Sequence, residues 1–360
     1  MNPVSQRLLS QQLAAPQFKD PADVVSWFGA LQAQDYKAMR WAVSMRTRKP
    51  SFQAFEKAFN DGRIVRTHLQ RTTWQLIAGE DLGWMLDLCR PKALTGLRGW
   101  MHSNGVDIPL DEEKKVSGIF AEAMAGKGSV QKEFLAQALR ERGIDMTEQR
   151  FSYHLRLAEY SGLLCSGDLH PTKRTLCLVS EKVRNPMVLT REESLALLTR
   201  KYFRSHGPAT LEDFAWWSGL GLADCRRGIA SLGGELLAER WQGRDFYRHT
   251  DARTRGFRRG AVLLLPAFDE YLIGYKSRHV VLHPDHAHHA HNQSGIFHSI
   301  VALDGEIVGN WSPSAPDGAI TLFKDVSLPE DSLRQQLSAY RRGSISSHFC
   351  GHAGTQVPRR

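Results

Sequence analysis

The spacing of apolar residues divides the chain into two regions. As far as about residue 230, apolar side chains recur at the intervals of amphipathic helices, and beyond it short β-like runs predominate. In the first region, Asp20 and Ser51 have the form of helix N-caps, each placed just before an apolar stripe. Val65, Thr67 and Leu69 then alternate with polar residues, which predicts a β-hairpin. Helices followed by a two-stranded ribbon predict a winged helix.

The same succession of helices and a hairpin recurs twice. Thr190 with Glu193, and Thr210 with Asp213, form capping boxes that predict helix starts in the third copy. We therefore predict an α+β protein with three tandem winged-helix units, over residues 1–108, 109–187 and 188–258. The alternative is a series of helices and hairpins that share no repeat.

Residues 259–360 are predicted to form a separate β-rich domain. Asp304-Gly305 between two alternating apolar runs is a strong hairpin signal, and a helix is predicted from Pro329 to Tyr340. The predicted strands are Ala261 to Leu265, Tyr271 to Tyr275, Phe297 to Leu303, Glu306 to Trp311 and Ala319 to Phe323.

Composition restricts the class of protein. The chain has 360 residues and a formal net charge of +9, which favours a polyanionic partner, although many proteins are basic without a specific reason. Its 5 cysteines form no C-x-x-C pair, which argues against a disulfide framework, a zinc knuckle or an iron–sulfur cluster. Without an export signal or a long apolar run, the chain is expected in the reducing cytoplasm. No phosphate-binding glycine loop or G-x-S-x-G motif is present, and no cofactor is expected.

Four motifs, in this order and spacing, resemble one known family. They are Leu31-Gln32-Ala33-Gln34-Asp35-Tyr36, the hairpin Ile64 to Trp74, the run Leu265 to Tyr275, and Val301 to Trp311. Together they are similar to the AlkZ-like winged-helix DNA glycosylases, over nearly the whole chain. The resemblance implies that the C-terminal domain is barrel-like, that the protein removes damaged bases from DNA, and that Gln32 and Gln34 are the catalytic Q-x-Q pair. The family motif is Q-x-Q or Q-x-D, and this chain carries the two-glutamine version. It also implies that some relatives process bulky adducts or interstrand crosslinks.

Glutamines suit the hydrolysis of an N-glycosidic bond to an alkylated purine. A purine alkylated at N7 of guanine or N3 of adenine is already cationic and leaves without a strong acid, so the enzyme has to position water and stabilise an oxocarbenium-like sugar. A neutral amide can orient water without the cost of burying an unpaired charge. Residues i and i+2 lie about 200° apart on a helix, so Gln32 to Asp35 are expected at a helix end or in locally extended chain, and we predict the helix end. The alternative is that both glutamines only cap that end.

Charged residues near these motifs are the candidates for DNA contact. Solvated strand faces are the alternative for the predicted wing residues. Asp35 is a candidate extra base or, preferably, an ion-pair partner of Arg40, and Asp269 is expected to be structural or DNA-proximal. The predicted DNA-binding residues are Arg66, His68, Arg71, Thr73, Lys276 and Arg278.

A histidine-rich segment lies between predicted strands of the C-terminal domain. It lacks carboxylate and cysteine companions at metal-ligand spacing, so a basic, DNA-facing loop is preferred to a metal site. Its histidines are His279, His283, His286, His288, His289, His291 and His298.

The sequence thus predicts a monofunctional DNA glycosylase for alkylated purines. It is expected to act as a monomer on double-stranded DNA, with neither a metal nor a membrane partner. The alternative from another class is a non-catalytic winged-helix DNA-binding regulator. The absence of a dimerisation coiled coil argues against a palindrome-binding repressor.

Overall fold

The first segment of the chain combines four helices with a three-stranded sheet. The computed structural model describes residues 2–315 and 318–346. The predicted caps are confirmed: Asp20 accepts a hydrogen bond from Ala22 N, and Ser51 accepts one from Ala54 N. The strands pair antiparallel in the order β1-β3-β2. The elements are α1 (Pro3–Ser10), α2 (Pro21–Phe28), β1 (Ala30–Gln32), α3 (Ala38–Ser44), α4 (Phe52–Asn60), β2 (Ile64–His68) and β3 (Trp74–Ala78).

A long helix, α5 (Leu82–Ser103), leads into the second segment. The segment has its own sheet, with the strand order β4-β6-β5. Its elements are α6 (Leu110–Met124), β4 (Val130–Gln131), α7 (Lys132–Arg140), α8 (Glu148–Tyr160), β5 (Leu164–Ser166), β6 (Thr175–Leu178) and the short helix α9 (Val179–Lys182).

The third segment begins at the predicted capping boxes, and both boxes are confirmed at Thr190 and Thr210. A bridge between Ala209 and Tyr247 joins the start of the segment to its hairpin. Its elements are α10 (Arg191–His206), α11 (Leu211–Ser218), α12 (Leu222–Leu232), β7 (Leu236–Trp241) and β8 (Arg244–His249).

All three segments share one order: a helix, a short extended stretch, two helices and a hairpin. In each of them the short stretch pairs with the last strand of the hairpin, through β1–β3, β4–β6 and the Ala209–Tyr247 bridge. The exact boundaries at residues 108, 187 and 258 remain predictions.

The C-terminal segment is a four-stranded antiparallel meander with the order β12-β11-β10-β9. Asp304 and Gly305 have φ values of 52° and 90°, which is the left-handed geometry of the predicted hairpin turn. Helix α15 packs along β9, where Ser332 Oγ accepts from Val262 N. The elements are β9 (Val262–Leu265), α13 (Glu270–Ile273), α14 (Ala287–Ala290), β10 (Ile300–Leu303), β11 (Glu306–Trp311), β12 (Ile320–Leu322) and α15 (Glu330–Ser346).

Two predictions for this segment were wrong. Within the residues that the structure describes, β9 and β12 are edge strands that do not pair with each other, so the sheet is open and forms no closed barrel. The predicted strand Tyr271 to Tyr275 is instead largely the helix α13, because the Asp269 carboxylate accepts from Tyr271 N and caps a helical turn.

Buried polar contacts fix the C-terminal segment against the first one. Arg46 donates from both terminal nitrogens to the Asp269 carboxylate, at 2.9 and 2.7 Å, and both side chains are fully buried. Trp41 Nε1 donates to Leu264 O at 2.7 Å. A shared apolar core joins the first sheet, α5 and the third segment. These contacts place α13 against β1, the strand that ends at Gln32.

Candidate active site

Gln32 lies at the end of a strand, and Gln34 lies in the bend that follows it. Helix α2 ends at Phe28, and Gln32 is the last residue of β1, paired with Gln75 of β3. The predicted helix end at Gln32 to Asp35 was therefore wrong. Ala33 N still donates to Trp74 O at 2.9 Å, and the chain bends at Gln34 and Asp35.

The two amides differ in how firmly they are held. Gln32 is 6 % exposed; its Oε1 accepts from Ala33 N at 3.0 Å, and its Nε2 donates to Thr73 Oγ1 at 3.3 Å. Gln34 is exposed, and its amide makes no hydrogen bond within residues 2–315 and 318–346. The amide of Gln32 is thus held in place by hydrogen bonds, whereas the amide of Gln34 keeps all its donors and acceptors for a ligand.

Thr73 orients Gln32. Its hydroxyl accepts from Gln32 Nε2 and from Gln75 Nε2, and donates to Gln70 O at 3.0 Å. Both polar side-chain atoms of Gln70 are buried without a partner in the described part of the chain, as are Gln75 Oε1 and Thr67 Oγ1. Buried amides without protein partners are ordinarily satisfied by water or a ligand. Unpaired buried polar groups therefore lie beside Gln32, whose amide Thr73 holds; the predicted contact of Thr73 with DNA stays a prediction.

Arg66 supports the backbone between the two glutamines. Its Nε donates to Ala33 O at 3.0 Å, and its guanidinium carbon lies 3.8 Å from the Trp74 ring centroid. The side chain is fully buried, and its Nη1 reaches Ser166 Oγ in the second segment at 3.4 Å. Burial, with the Arg174 charge adding to it, lowers the pKa of Arg66 to about 9, so the group stays charged at neutral pH. The solvated strand face that was the alternative for Arg66 was therefore wrong, and its contact with DNA stays a prediction.

His68 is also buried, against the same neighbouring segment. Its Nδ1 contacts the Glu159 carboxylate of α8, and its ring centroid lies 3.9 Å from that of Trp74. Because β2 packs against β5 and α8, the strand face that carries both Arg66 and His68 is covered by the second segment. The solvated-face alternative for His68 was therefore wrong as well, and its contact with DNA stays a prediction.

Asp35 and Asp269 are both occupied by structural contacts. Asp35 Oδ1 accepts from Lys37 N at 2.8 Å and from Ala38 N at 2.9 Å, at the start of α3. Among the described residues it forms no ion pair with Arg40, whose guanidinium lies 5.9 Å from the Tyr36 ring centroid. The predicted Asp35–Arg40 pair was therefore wrong. Of the two alternatives for Asp269, the buried pair with Arg46 supports the structural one.

The three remaining candidates for DNA contact, all basic, are less buried than Arg66 and His68. Arg71 and Arg278 are half-buried, and Lys276 is exposed. Burial lowers the pKa of both Arg71 and Arg278. Their guanidinium carbons lie 5.4 and 5.3 Å from the centroid of the same ring, that of Trp216 in α11.

The loop between β5 and β6 contacts the chain just after Gln34, which the sequence did not predict. His170 N donates to Tyr36 Oη at 3.3 Å, and the exposed Lys173 and Arg174 follow in the same loop. Tyr36 lies two residues after Gln34, so this contact brings the second segment to the Q-x-Q motif. No local signal could have indicated it, because 134 residues separate the two partners.

The histidine-rich segment contains the turn before α14 and α14 itself, and most of its rings are exposed. His289 stacks on Phe323 with ring centroids 5.0 Å apart. Within residues 2–315 and 318–346, no group of three or more His, Cys, Asp or Glu side chains has an arrangement that could hold a metal ion.

We expect protein treated with a chelator to retain full base-excision activity, because the described amide site contains no group of metal ligands. The measurement is single-turnover excision before and after exhaustive dialysis against EDTA, with metal content determined in parallel. Stoichiometric zinc whose removal abolishes activity, and whose return restores it, would contradict this expectation.

The family model described as DNA glycosylase AlkZ-like matches residues 25–342. The protein is a DNA glycosylase, an enzyme of DNA repair. It belongs to the AlkZ-like family.

A solved structure agrees in fold. The Streptomyces sahachiroi DNA glycosylase AlkZ is similar with a TM-score of 0.78 and 22 % identity, covering 95 % of this chain and 95 % of that one. No curated protein sequence matches the chain. In the part of the chain that the structure describes, no helix combines the length and the apolar character required to cross a membrane.

Proposed function

We propose that the protein hydrolyses the N-glycosidic bond of alkylated purines in double-stranded DNA, above all N7-alkylguanine, with Gln32 and Gln34 positioning the attacking water. The observation that carries the proposal is a fixed amide, Gln32 at the end of β1, followed two residues later by the exposed amide of Gln34. Gln32 Oε1 has a lone pair left after accepting from Ala33 N, and Gln34 offers another acceptor two residues on. A water held between two amide oxygens has its own lone pair directed away from them, toward the sugar.

The surroundings suit a leaving group that is already cationic. The nearby carboxylates already accept hydrogen bonds: Asp35 Oδ1 accepts from two backbone N–H groups, and Glu159 contacts His68. Neither is placed as a free general acid, which fits a base that leaves without protonation. The same arrangement fits N3-alkyladenine, bulky adducts and interstrand crosslinks, since the Gln34 side chain is exposed.

The three repeated segments are proposed to be winged helices that hold DNA as a monomer. The formal net charge of +9 supports a polyanionic partner. Arg71, Lys276 and Arg278 are the proposed phosphate contacts, and Lys173 and Arg174 of the β5–β6 loop join them.

The direct test is incubation with duplex DNA that contains 7-methylguanine, followed by alkaline cleavage at abasic sites and detection of the free base. Release of 7-methylguanine with an intact strand before alkali is expected of a monofunctional glycosylase. Binding to the duplex without any release would instead indicate a non-catalytic DNA-binding protein for this lesion.

We expect affinity for duplex DNA to fall by at least 10²-fold between about 50 and 200 mM salt, because several phosphate contacts displace counterions. Undamaged duplexes should compete measurably. Arg71→Ala should lower affinity for all sequences alike, without altering lesion choice. Fluorescence anisotropy across a salt series measures both effects, and an affinity that hardly changes with salt would exclude a phosphate-dominated complex.

Thr73→Val is expected to slow excision about five- to tenfold and to leave DNA affinity nearly unchanged. Valine keeps the shape of threonine but removes the oxygen that accepts from Gln32 Nε2, so the amide loses its orientation. Single-turnover rates at saturating enzyme separate this effect from binding. Thr73→Ser keeps the hydroxyl and should restore most of the rate; equal loss in both variants would mean that the methyl group, not the hydroxyl, matters.

A further inference from the structure

The tip of the β2–β3 hairpin is held in an unusual backbone conformation. Arg71 and Thr72 have φ values of 52° and 57°, so two consecutive residues other than glycine occupy the left-handed region. Such a conformation costs free energy and persists only where surrounding contacts impose it. The contact here is with α11: a Cβ added at Gly219 would lie 3.4 Å from both the backbone nitrogen and Cγ of Arg71. The hairpin tip is therefore pressed against the third segment, and Arg71 is directed at it.

Arg71 meets a second arginine at the same tryptophan. The indole of Trp216 is fixed because its Nε1 donates to Ile273 O at 3.1 Å, yet the side chain remains 38 % exposed. The guanidinium carbons of Arg71 and Arg278 lie within 5.4 Å of its ring centroid. Three separate parts of the chain, the first hairpin, α11 and the turn after α13, thus converge on one half-exposed ring.

Neither arginine has a partner for its charge in the described part of the chain. Arg71 Nε and Nη2 and Arg278 Nε are buried without a hydrogen bond, and neither side chain forms an ion pair there. Glu270 is the carboxylate whose charge acts on Arg71, and Asp213 the one whose charge acts on Arg278; Glu270 Oε2 is buried without a hydrogen bond among the described residues. Asp213 accepts from the backbone N–H groups of Lys276 and Ser277, and Glu270 Oε1 accepts from Trp217 Nε1. The positive charge of Arg71 also lowers the pKa of Arg278, because the two cations repel each other.

We propose that Arg71 and Arg278, together on the ring of Trp216, form a clamp for one backbone phosphate of the bound DNA. This inference rests on the proposed function and adds how the bound DNA is positioned relative to Gln32 and Gln34. Two partly desolvated guanidinium groups that form no ion pair are stabilised by an anion between them, and arginine matches phosphate with paired N–H donors. Arg71 lies two residues before Thr73, which orients Gln32, so the clamped phosphate would fix the damaged strand relative to the two amides.

The first test is the salt dependence of binding to an undamaged duplex. Each neutralised phosphate contributes about 0.9 to the slope of log K against log salt. If the two arginines hold the same phosphate, the double variant Arg71→Ala/Arg278→Ala reduces the slope by about 1 in total. Each single variant then weakens binding about tenfold, and the double variant loses little further affinity. A loss of about 2 in the double variant would mean two independent phosphates and would overturn the clamp.

The second test locates the phosphate. Duplexes with a single methylphosphonate, a neutral replacement for the phosphate, are scanned along both strands around 7-methylguanine. At one position, the methylphosphonate is expected to lower the affinity of the wild-type protein. At the same position it should not lower the affinity of Arg71→Ala or Arg278→Ala any further. If the two variants become insensitive at different positions, or at none, the clamp is wrong. Arg200→Ala is the matched control, because Arg200 already donates to the Glu235 carboxylate at 2.7 and 2.8 Å. This variant should lose affinity at the same methylphosphonate position as the wild-type protein.

Folding and the wider proposal are tested separately. If either alanine variant fails to fold, Arg71→Lys and Arg278→Lys keep the charge while removing the paired donors, and the same methylphosphonate position should show a weakened effect in both. Loss of affinity that is equal with and without that methylphosphonate would make the arginines structural only. Absence of 7-methylguanine release by the wild-type protein would refute the proposed function, whereas normal release with separate phosphate positions would refute only the clamp.

Discussion

Alanine in place of Gln32 or Gln34 is expected to slow release of 7-methylguanine by roughly 10²-fold or more, for the more damaging of the two substitutions. An amide that orients water acts mainly in the transition state, whereas the arginines hold the ground-state complex. Affinity for undamaged DNA should therefore barely change. The measurement is the single-turnover rate at saturating enzyme, with anisotropy for binding.

The matched control for these variants is Gln137→Ala, an exposed glutamine of α7 that bonds to its neighbours Glu141 and Arg140. It should excise at the wild-type rate. Gln34→Asp tests the same idea in reverse: it keeps an acceptor and adds a base, so partial activity should survive with a changed pH dependence. Wild-type rates in both folded alanine variants would make the motif a structural device and would favour a non-enzymatic regulator.

Asp269→Ala is expected to destabilise the protein by about 3–5 kcal/mol, because it leaves the buried guanidinium of Arg46 without its carboxylate. Both side chains are fully buried, and Asp269 also caps α13. The free energy of unfolding in urea measures the loss. Asp269→Asn retains one acceptor and should lose less.

Asp35→Ala is the control, since Asp35 accepts only backbone N–H groups near the start of α3. Loss of such a capping interaction costs about 1 kcal/mol. If Asp269→Ala were no more destabilising than Asp35→Ala but selectively weakened DNA binding, Asp269 would be a DNA-proximal residue. The comparison therefore distinguishes the two roles that the sequence left open.

Local signals in the sequence determined much of this protein. N-caps at Asp20 and Ser51, and capping boxes at Thr190 and Thr210, depend on a side chain and a backbone group within three residues of it, so they could be identified without a fold. The Asp304-Gly305 turn is equally local. The order of the motifs was sufficient to indicate the family.

The tertiary structure decided which faces are covered. Alternation placed Arg66 and His68 on one face of β2 but could not indicate that the second segment packs against it, through Ser166 and Glu159, 100 and 91 residues away. The charge of Asp269 gave no sign that Arg46, 223 residues away, would neutralise it. Nor did any pattern bring Arg71 and Arg278 to Trp216. Periodicity records how a residue faces its own element, whereas burial and charge pairing depend on what packs against that element, and those partners are distant in the chain.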